Sequence, residues 1–520
     1  MIYLAIKLNM ISHTIKEIFI SMEQKSDLPK ILMAEEALHL WFQGKDAWNN
    51  WVEENPETLI SFQGFEFSLS VIKSTLANRI ASNEIDDLDN LSSLINFSGF
   101  KFKNVVFDES TFRGKVSFAS AVFEGEASFD KASFKEGVIF SRTTFNSIAS
   151  FLNTYFYETT EFSHVSFSSD VKFKYALFYG PLAFNDSDIL GSAKFENVQF
   201  NHTVDFKNTN FRFTAYFDNS NFELKTFFSK AKINNQASFK GSTFKAQSYF
   251  LGTIFKGNTC FSEAEFKHDV SFDRSSFFGS MANFTKSRFH SNFSFQPNEV
   301  KSLKKVSFEG ASFDKQLTIS GHYNCIPDLR QTKTSHHIDL SLLTIKLNRH
   351  FLKNTGMEAA IEKEDADRLC RLKEIAESNK NHERALAFHA DELRAKRWHV
   401  FSPWQSILDG LYSLTSNYGQ SIMRPSMYLL ASVFIFASAT LSQTKQSSYD
   451  IAQMKAALTI SVATATPFLA ISKEARTKST EELFNKELPD NYYLYSYIHS
   501  GSSFVFMFLI GLGLRNRFRI

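Results

Sequence analysis

The residues best equipped for chemistry in this chain stand apart from one another. His336 and His337 are adjacent and could offer two imidazoles to a metal ion, but no third ligand lies near them, so the pair reads as polar surface. Cys260, Cys325 and Cys370 are three thiols far apart in the chain. Their odd number and wide spacing exclude a disulfide framework and a zinc site of ordinary spacing, and they fit a reducing compartment. There is no Gly-rich phosphate loop, nucleophile elbow or paired metal-ligand spacing. Asp and Glu are frequent in the middle of the chain, but at turn positions where solvated carboxylates are expected. No catalytic, cofactor-binding or metal site is expected, and the protein reads as non-enzymatic. Two groups remain. Ser461, Thr464 and Thr466 precede Pro467 inside the charge-free stretch 456–471, and Arg424, Arg515, Arg517 and Arg519 flank long apolar segments.

Composition announces the elements that hold these residues. The chain has 520 residues, a net charge of +2 from 57 basic and 55 acidic side chains, and 58 Phe against 16 Tyr and 5 Trp. Such a length allows about two to four domains. Balanced charge gives no global reason to expect a nucleic-acid partner, and 22% charged residues with 9 Pro argue against wholesale disorder. Leucine usually fills cores, so the dominance of one aromatic implies a repeated slot that fits it.

The slot is visible in the spacing. From Phe107 the large residues run Phe112, Phe118, Phe123, Phe129 and Phe134, with Phe195 in mid-ladder and Ile189 and Ile233 taking two places. Steps alternate five and six, a period of eleven. One residue is inserted at Phe277–Phe278, and Phe278 is read as resuming the count with Phe284, Phe289 and Phe295. A break at 296–305 precedes Phe308, Phe313 and Ile319. Between Phe97 and Ile319 lie 42 of the 58 Phe, so the ladder accounts for the composition. A row of small residues stands two positions earlier, for example Ser110, Ala121, Ala132, Thr143 and Thr154, or Val116, Ala127 and Val138. Residues two apart in extended chain share a face, so each short segment points one small and one large side chain inward. In a helix a five-residue step would turn about 140° and put the two Phe rows on opposite sides. The flanking Ser, Thr, Asn and Val are also poor helix formers. A continuous coil of short strands remains, with Asn, Asp, Gly, Lys and Ser at the turns.

Rows of Phe with Ala, Ser, Thr or Val two residues earlier, spaced by five, resemble the pentapeptide-repeat family, and the alternating five and six resembles its Phe-centred branch. The resemblance implies a mainly β fold: a right-handed quadrilateral β-helix over 96–321, with two eleven-residue units closing each coil. Roughly ten coils stacked about 4.8 Å apart would make a rod of about 50 Å. Some soluble members mimic B-form DNA, which requires an acidic surface. Residues 97–320 carry 26 Lys and Arg against 22 Asp and Glu, a net of +4, so neither mimicry nor nucleic-acid binding is expected. The implied role is a scaffold for an unidentified protein partner.

Ahead of the rod, the run from Gly44 to Trp51 (Gly-Lys-Asp-Ala-Trp-Asn-Asn-Trp) resembles the lead-in of many such rods. Trp48 and Trp51 on one side of a helix would cover the first coil's edge, which otherwise invites aggregation. Residues 34–95 read as this helical cap. Residues 1–33 lack a long apolar core and a cleavage site, so no signal peptide is expected, and Met1, Met22 and Met33 all stand as starts.

Beyond the rod, 322–359 reads as an end cap and linker, and 360–400 as a helical hairpin, Glu362–Ser378 with His382–Trp398. Leu369, Leu372, Ile375 and Ala376 form one apolar stripe; Ala385, Leu386, His389 and Leu393 form the other. The pair resembles a tetratricopeptide-like hairpin, which implies docking or assembly into a homo-oligomer. Residues 401–424 read as a juxtamembrane amphipathic segment and 425–520 as a two-span membrane region. Pro425–Ser442 and Tyr495–Leu514 carry no charge and approach the length of a span. Arg424, Arg515, Arg517 and Arg519 flank their outer ends, so the positive-inside rule places both ends in the cytoplasm. The expected location is the inner (cytoplasmic) membrane, with the rod on the cytoplasmic side and Tyr492, Tyr493, Tyr495 and Tyr497 in a belt on the far side.

A third span at 456–471 would move Arg515 to Arg519 outside, so this stretch lies in the interface or re-enters. The run Ser461 to Thr466 resembles the pore helix of two-span potassium channels, which makes Ser461, Thr464, Thr466 and Pro467 pore-loop residues by resemblance. Where that family has Thr-Val-Gly-Tyr-Gly, this chain has Pro467-Phe468-Leu469. The carbonyl ring that replaces potassium's hydration shell needs those glycines, so potassium selectivity is not implied. The closing Leu-Arg-Asn-Arg-Phe at 514–518 resembles that of a bacterial group of pentapeptide-repeat proteins with channel-like ends. Two functions follow: a membrane-anchored scaffold, or a ligand- or stress-gated channel-like protein with the rod as sensor.

Overall fold

The computed structural model describes residues 30–77, 94–336, 338–352, 357–444, 449–485 and 488–518. They belong to two compact units, Met1–Lys346 and Leu347–Ile520.

The first unit is built from strands mostly two residues long. So short a strand cannot persist alone. Each pairs in parallel with the strands one coil before and one coil after, as Ala127 does with Ala149, Ser133 with Tyr155, Val138 with Thr160 and Thr144 with Ser166. The pairings form three sheets of 12 strands and one of nine, the four walls of a parallel β-solenoid of about 11 turns.

Inside, the Phe side chains stack into columns. Along one wall Phe129, Phe151, Phe173, Phe195 and Phe217 follow one another with ring centroids 4.9, 4.7, 4.8 and 5.0 Å apart. Neighbouring columns meet edge to face, as Phe184 and Phe195 do at 83°. Both geometries suit the ring quadrupole, and each fully buried ring contributes about 1.5–3 kcal/mol of transfer energy. The row of small residues is equally buried, and most of its hydroxyls are satisfied, Thr259 being an exception. Thr143 donates to the Phe118 carbonyl at 2.7 Å, Thr154 to Phe129 at 2.7 Å, Ser187 to Phe162 at 2.6 Å and Thr253 to Phe228 at 2.8 Å. Ser and Thr therefore share a slot with Ala because a backbone carbonyl, one coil away or two to three residues back as for Thr160 and Ser275, supplies the acceptor.

The alternation of five and six reflects two kinds of corner. Every second corner holds a residue in the left-handed region, among them Ser120, Lys131, Arg142 and Asn153, with Gly241 and Gly252 further on. The next N–H turns back to the preceding Phe carbonyl, as from Ala121 to Phe118 at 2.9 Å. That turn takes the five-residue step.

One expectation is overturned here. Phe277 keeps its column, 4.9 Å from Phe255, while Phe278 is 47% exposed and stands outside the ladder. The inserted residue is absorbed in the corner, and the chain rejoins the wall at Met281–Asn283. The break after Phe295 also has a structural counterpart. Instead of a strand, Glu299 makes an isolated bridge to Ser276, and Val300 and Leu303 fill the interior.

Strands continue on both sides of 96–321. Ile31–Met33 pairs with Leu59–Ser61, and that with Asn104–Val106, while Phe62 and Phe67 stack under Phe107 and Phe112 at 5.0 and 4.4 Å. At the other end Lys333–Thr334 and Ile338–Asp339 extend two walls, and Leu343–Ile345 pairs with Gly321–Tyr323 as a separate two-stranded sheet. Helices α1 (Ala34–Phe42) and α2 (Lys45–Glu54) lie between the first two strands, and α3 (Leu69–Ala77) starts a detour after Glu66–Phe67. Trp48 is buried, donates to the Lys101 carbonyl at 2.7 Å and packs on Phe100 and Phe102. Its partner in the cap is Trp41, which donates to the Asn96 carbonyl at 2.9 Å; Trp51 is only half-buried, and Val52 takes the inward place.

The second unit begins with an antiparallel pair, Arg349–Leu352 with Met357–Ala360. Seven helices follow among the described residues: α4 (Asp365–Ser378), α5 (His382–Lys396), α6 (Pro403–Ser416), α7 (Met423–Ser442), α8 (Ile451–Ala465), α9 (Ala470–Phe484) and α10 (Tyr492–Arg517). Leu369, Leu372, Ile375 and Ala376 form the buried stripe of α4. On α5 the inward face is Ala385, Phe388, Ala390, Glu392 and Ala395; of the expected stripe Ala385 is buried, while Leu386, His389 and Leu393 are only half-buried. The cause is ionic: Glu392 is buried between Lys373 at 2.9 Å and Lys396 at 2.6 Å. Burial alone would raise its carboxyl, but the two ammonium groups outweigh burial and hold it below the usual range. Helices α7 and α10 are long and apolar enough to cross a membrane, and most of their surface is uncovered within the unit.

Candidate functional site

The hydroxyl run of 456–471 lies on α8. A capping box between Asp450 and Gln453 starts the helix, and Pro467 stops it by disfavouring helical geometry in the residue before it. At 15 residues it is too short to cross a bilayer. It packs against both long helices. Ser461 donates its hydroxyl to the Val433 carbonyl of α7 at 2.7 Å and lies 3.2 Å from His499 Nε2 of α10. That nitrogen is also 3.1 Å from the Ser461 carbonyl, which can only accept, so Nε2 carries the proton. The His499 ring stacks on Phe436 at 4.5 Å. Ile460, Phe436, Phe484 and Tyr492 complete the apolar packing around this polar link.

Beside it is a cavity of about 510 Å³ whose lining includes Thr464, Arg476, Glu481, Tyr492 and Ser496. The hydroxyls of Thr464, Tyr492 and Ser496 are buried with no hydrogen-bond partner among the described residues. Three such groups around one space form a polar surface inside an apolar bundle, large enough for several waters or a small polar ligand. Helix α9 brings the charges. Its Thr477 and Thr480 bond back to their own helix, at the Lys473 and Arg476 carbonyls, which leaves Arg476 and Glu481 as its charged contributions to the lining.

Of the residues singled out from sequence, Ser461 and Thr464 are thus brought together with His499 and Tyr492. Thr466 and Pro467 sit in the turn to α9: Thr466 donates to the Val462 carbonyl at 2.9 Å and lies 3.1 Å from the Ser472 hydroxyl, and Pro467 is exposed. Arg424 starts α7 and donates to the Ser413 carbonyl at 3.1 Å. Arg515 and Arg517 end α10, and Asn516 between them donates to the Gly419 carbonyl at 3.0 Å, so the three arginines share one end of the bundle. Arg519 lies outside the described residues, as does His337; His336 is exposed at a solenoid corner. Among the described residues no group of three His, Cys, Asp or Glu could hold a metal. Sequence reasoning missed His499. An ionisable residue in a long apolar segment was its signal.

The rod also carries aromatic side chains on its outside. Tyr155, Tyr157, Tyr175 and Tyr179 are exposed on two successive coils, with Tyr157 and Tyr179 stacked at 5.1 Å and the Lys135 ammonium 3.9 Å over the Tyr157 ring.

The class these features define is a parallel β-solenoid joined to a helical unit with two apolar helices. The family model for pentapeptide repeats (9 copies) matches residues 97–144, 107–154, 162–210, 173–221 and 217–260. The first unit is therefore a pentapeptide-repeat β-solenoid, a fold that is generally a non-enzymatic scaffold or binding module. No curated protein and no solved structure matches the chain.

Proposed function

We propose that the protein is a membrane-anchored scaffold whose solenoid presents binding walls on the cytoplasmic face of the inner membrane. One observation carries this. A regular solenoid shares its chain with two long helices whose outward side chains, Met427, Leu430, Phe434, Phe504 and Phe508, are 60% or more exposed. Apolar faces of that extent require a lipid or protein cover, and the basic residues at one end favour the cytoplasm there. The tyrosine patch around Tyr157 suits a protein partner, because aromatics dominate the centres of such interfaces. Fractionation and protease access test the reading. The protein should stay with membranes after alkaline washing, and the rod should be cut only by protease on the cytoplasmic side. Recovery as a soluble protein without detergent would end it.

A second reading rests on the polar groups of Ser461, Thr464, Tyr492 and His499 inside the apolar bundle. Polar residues at membrane depth line ion and substrate paths more often than they serve as filler. Here α8 and α9 would line a pore shared by several copies around an axis, gated by the rod. Conductance of reconstituted protein, before and after Thr464→Val and Pro467→Ala, decides it: a bilayer that never conducts removes the channel reading and leaves the scaffold.

A further inference from the structure

Helix α6 is built inside out for a soluble protein. Its start is well specified, with Pro403 in the first turn and a capping box between Ser402 and Gln405. The face turned into the unit is small and polar. Ser406, Gly410 and Ser416 are buried there. Asp409 pairs with Arg397 at 2.7 Å, with both side chains less than a tenth exposed. The Tyr418 hydroxyl donates to Asp409 and accepts from Arg397, each at 3.0 Å. The opposite face is Trp404, Ile407, Leu408, Leu411 and Leu414, between 37% and 68% exposed. Their spacing of three and four makes one continuous apolar stripe. A helix that buries its charges and exposes its leucines has its solvent reversed.

Two further observations say what covers that stripe. Helix α7 begins seven residues after α6 ends and carries an outward apolar surface of its own. At the corner between them stand Arg424, Arg515 and Arg517, none with an acidic partner among the described residues. Apolar stripe, span and arginines without acidic partners lie together as they do where a bilayer's acyl boundary meets its headgroups.

We infer that α6 lies flat in the cytoplasmic interface of the bilayer, its stripe in the acyl boundary, with Arg424, Arg515 and Arg517 on anionic lipid headgroups. This rests on the membrane-anchored reading and adds a lipid-binding surface to it. The Arg397–Asp409–Tyr418 network then joins hairpin helix α5 to the interfacial helix, so the lipid surface fixes the hairpin's orientation.

The test uses the full chain reconstituted in vesicles of phosphatidylcholine, with or without phosphatidylglycerol, and lipids brominated near the headgroup or at mid-chain. The contribution of Trp404 is the difference between the unaltered protein and Trp404→Phe. Headgroup-proximal bromine should quench it, mid-chain bromine should not, and phosphatidylglycerol should strengthen the quenching. Leu408→Asp with Leu411→Asp should abolish the quenching while the protein still resists alkaline extraction through α7 and α10. Unquenched Trp404 in an alkali-resistant protein overturns the inference alone. The same result with a change of oligomeric state in the double variant would give the stripe to a second copy instead. Quenching indifferent to phosphatidylglycerol overturns the anionic headgroup assignment. Extraction of the unaltered protein by alkali would remove the anchoring reading and this one together.

Discussion

The two units use the same residue in opposite senses. In the rod, Phe195 is fully buried between Phe173 and Phe217, one of a column in which every ring sees the same neighbours. In α7, Phe434 is 62% exposed, and along α10 Phe504 and Phe508 are as open. The rod's phenylalanines leave water by stacking on one another. Those of the helical unit leave it only if something outside the unit covers them. The difference shows that composition alone identifies neither fold nor environment, whereas the period in which a residue recurs does both. A step alternating five and six closes a coil; a charge-free run of about twenty makes a helix long and apolar enough to cross a membrane.

The sharpest way to break this comparison is to truncate one ring of each kind. Phe195→Ala removes a ring from a packed column and should cost about 3–5 kcal/mol, read by urea unfolding of the β-sheet circular dichroism signal. Phe434→Ala, assayed in detergent or bilayer, should cost under about 1 kcal/mol, since only lipid contact is exchanged. The half-buried Lys194, which pairs with Asp170 at 2.8 Å, gives the rod's own baseline, also below about 1 kcal/mol on removal. Equal costs for the two rings would mean that Phe434 packs against protein, and the anchor reading would lose its main support.

A subtler contrast lies in the buried hydroxyls. Thr154 donates to the Phe129 carbonyl at 2.7 Å, whereas Thr464 finds no partner among the described residues. Thr154→Val should therefore cost about 0.5–1.5 kcal/mol for one lost hydrogen bond. Thr464→Val loses none and should leave stability within about 0.5 kcal/mol. A large loss at Thr464 would show that its hydroxyl is engaged by a ligand or by another copy.

How much of this was legible follows from the same contrast. Each coil meets only its neighbours, so spacing alone identifies the inward residues of the ladder, from Phe107 through Phe272. Spacing misplaces Phe278 where the period breaks, because the sequence does not show that the inserted residue is spent in a corner. In the helical unit the decisive contacts join residues at no fixed spacing. Glu392 turns inward because Lys373 lies on the facing helix, and Asp409 because Arg397 does the same for α6. A helical stripe read from hydropathy has no means to include them, so it leaves out the inward Glu392 of α5. The hydroxyl run of α8 was visible, but His499, which closes its hydrogen bonds, stands 38 residues from Ser461.

The smallest expected effect concerns the corners. Arg142 holds φ at 62° and is exposed, with a repeat of the same corner at Gly241 and Gly252, where glycine already serves. A left-handed residue with a Cβ costs about 1–2 kcal/mol, partly offset by the entropy a glycine loses on folding. Arg142→Gly should therefore stabilise the rod by about 0.5–1 kcal/mol, seen as a higher urea midpoint with unchanged slope. The corresponding residue of the helical unit is Asn417, at φ 49° after α6. Asparagine tolerates that conformation already, and its side-chain oxygen accepts from the Arg394 guanidinium. Asn417→Gly relieves little and loses that bond, so the sign should reverse, with a loss of about 1 kcal/mol. A gain at both positions would mean that backbone strain alone decides the corners. A gain at Arg142 alone would show that corners of the repeat are interchangeable, whereas a turn in the helical unit is held by a partner that occurs once.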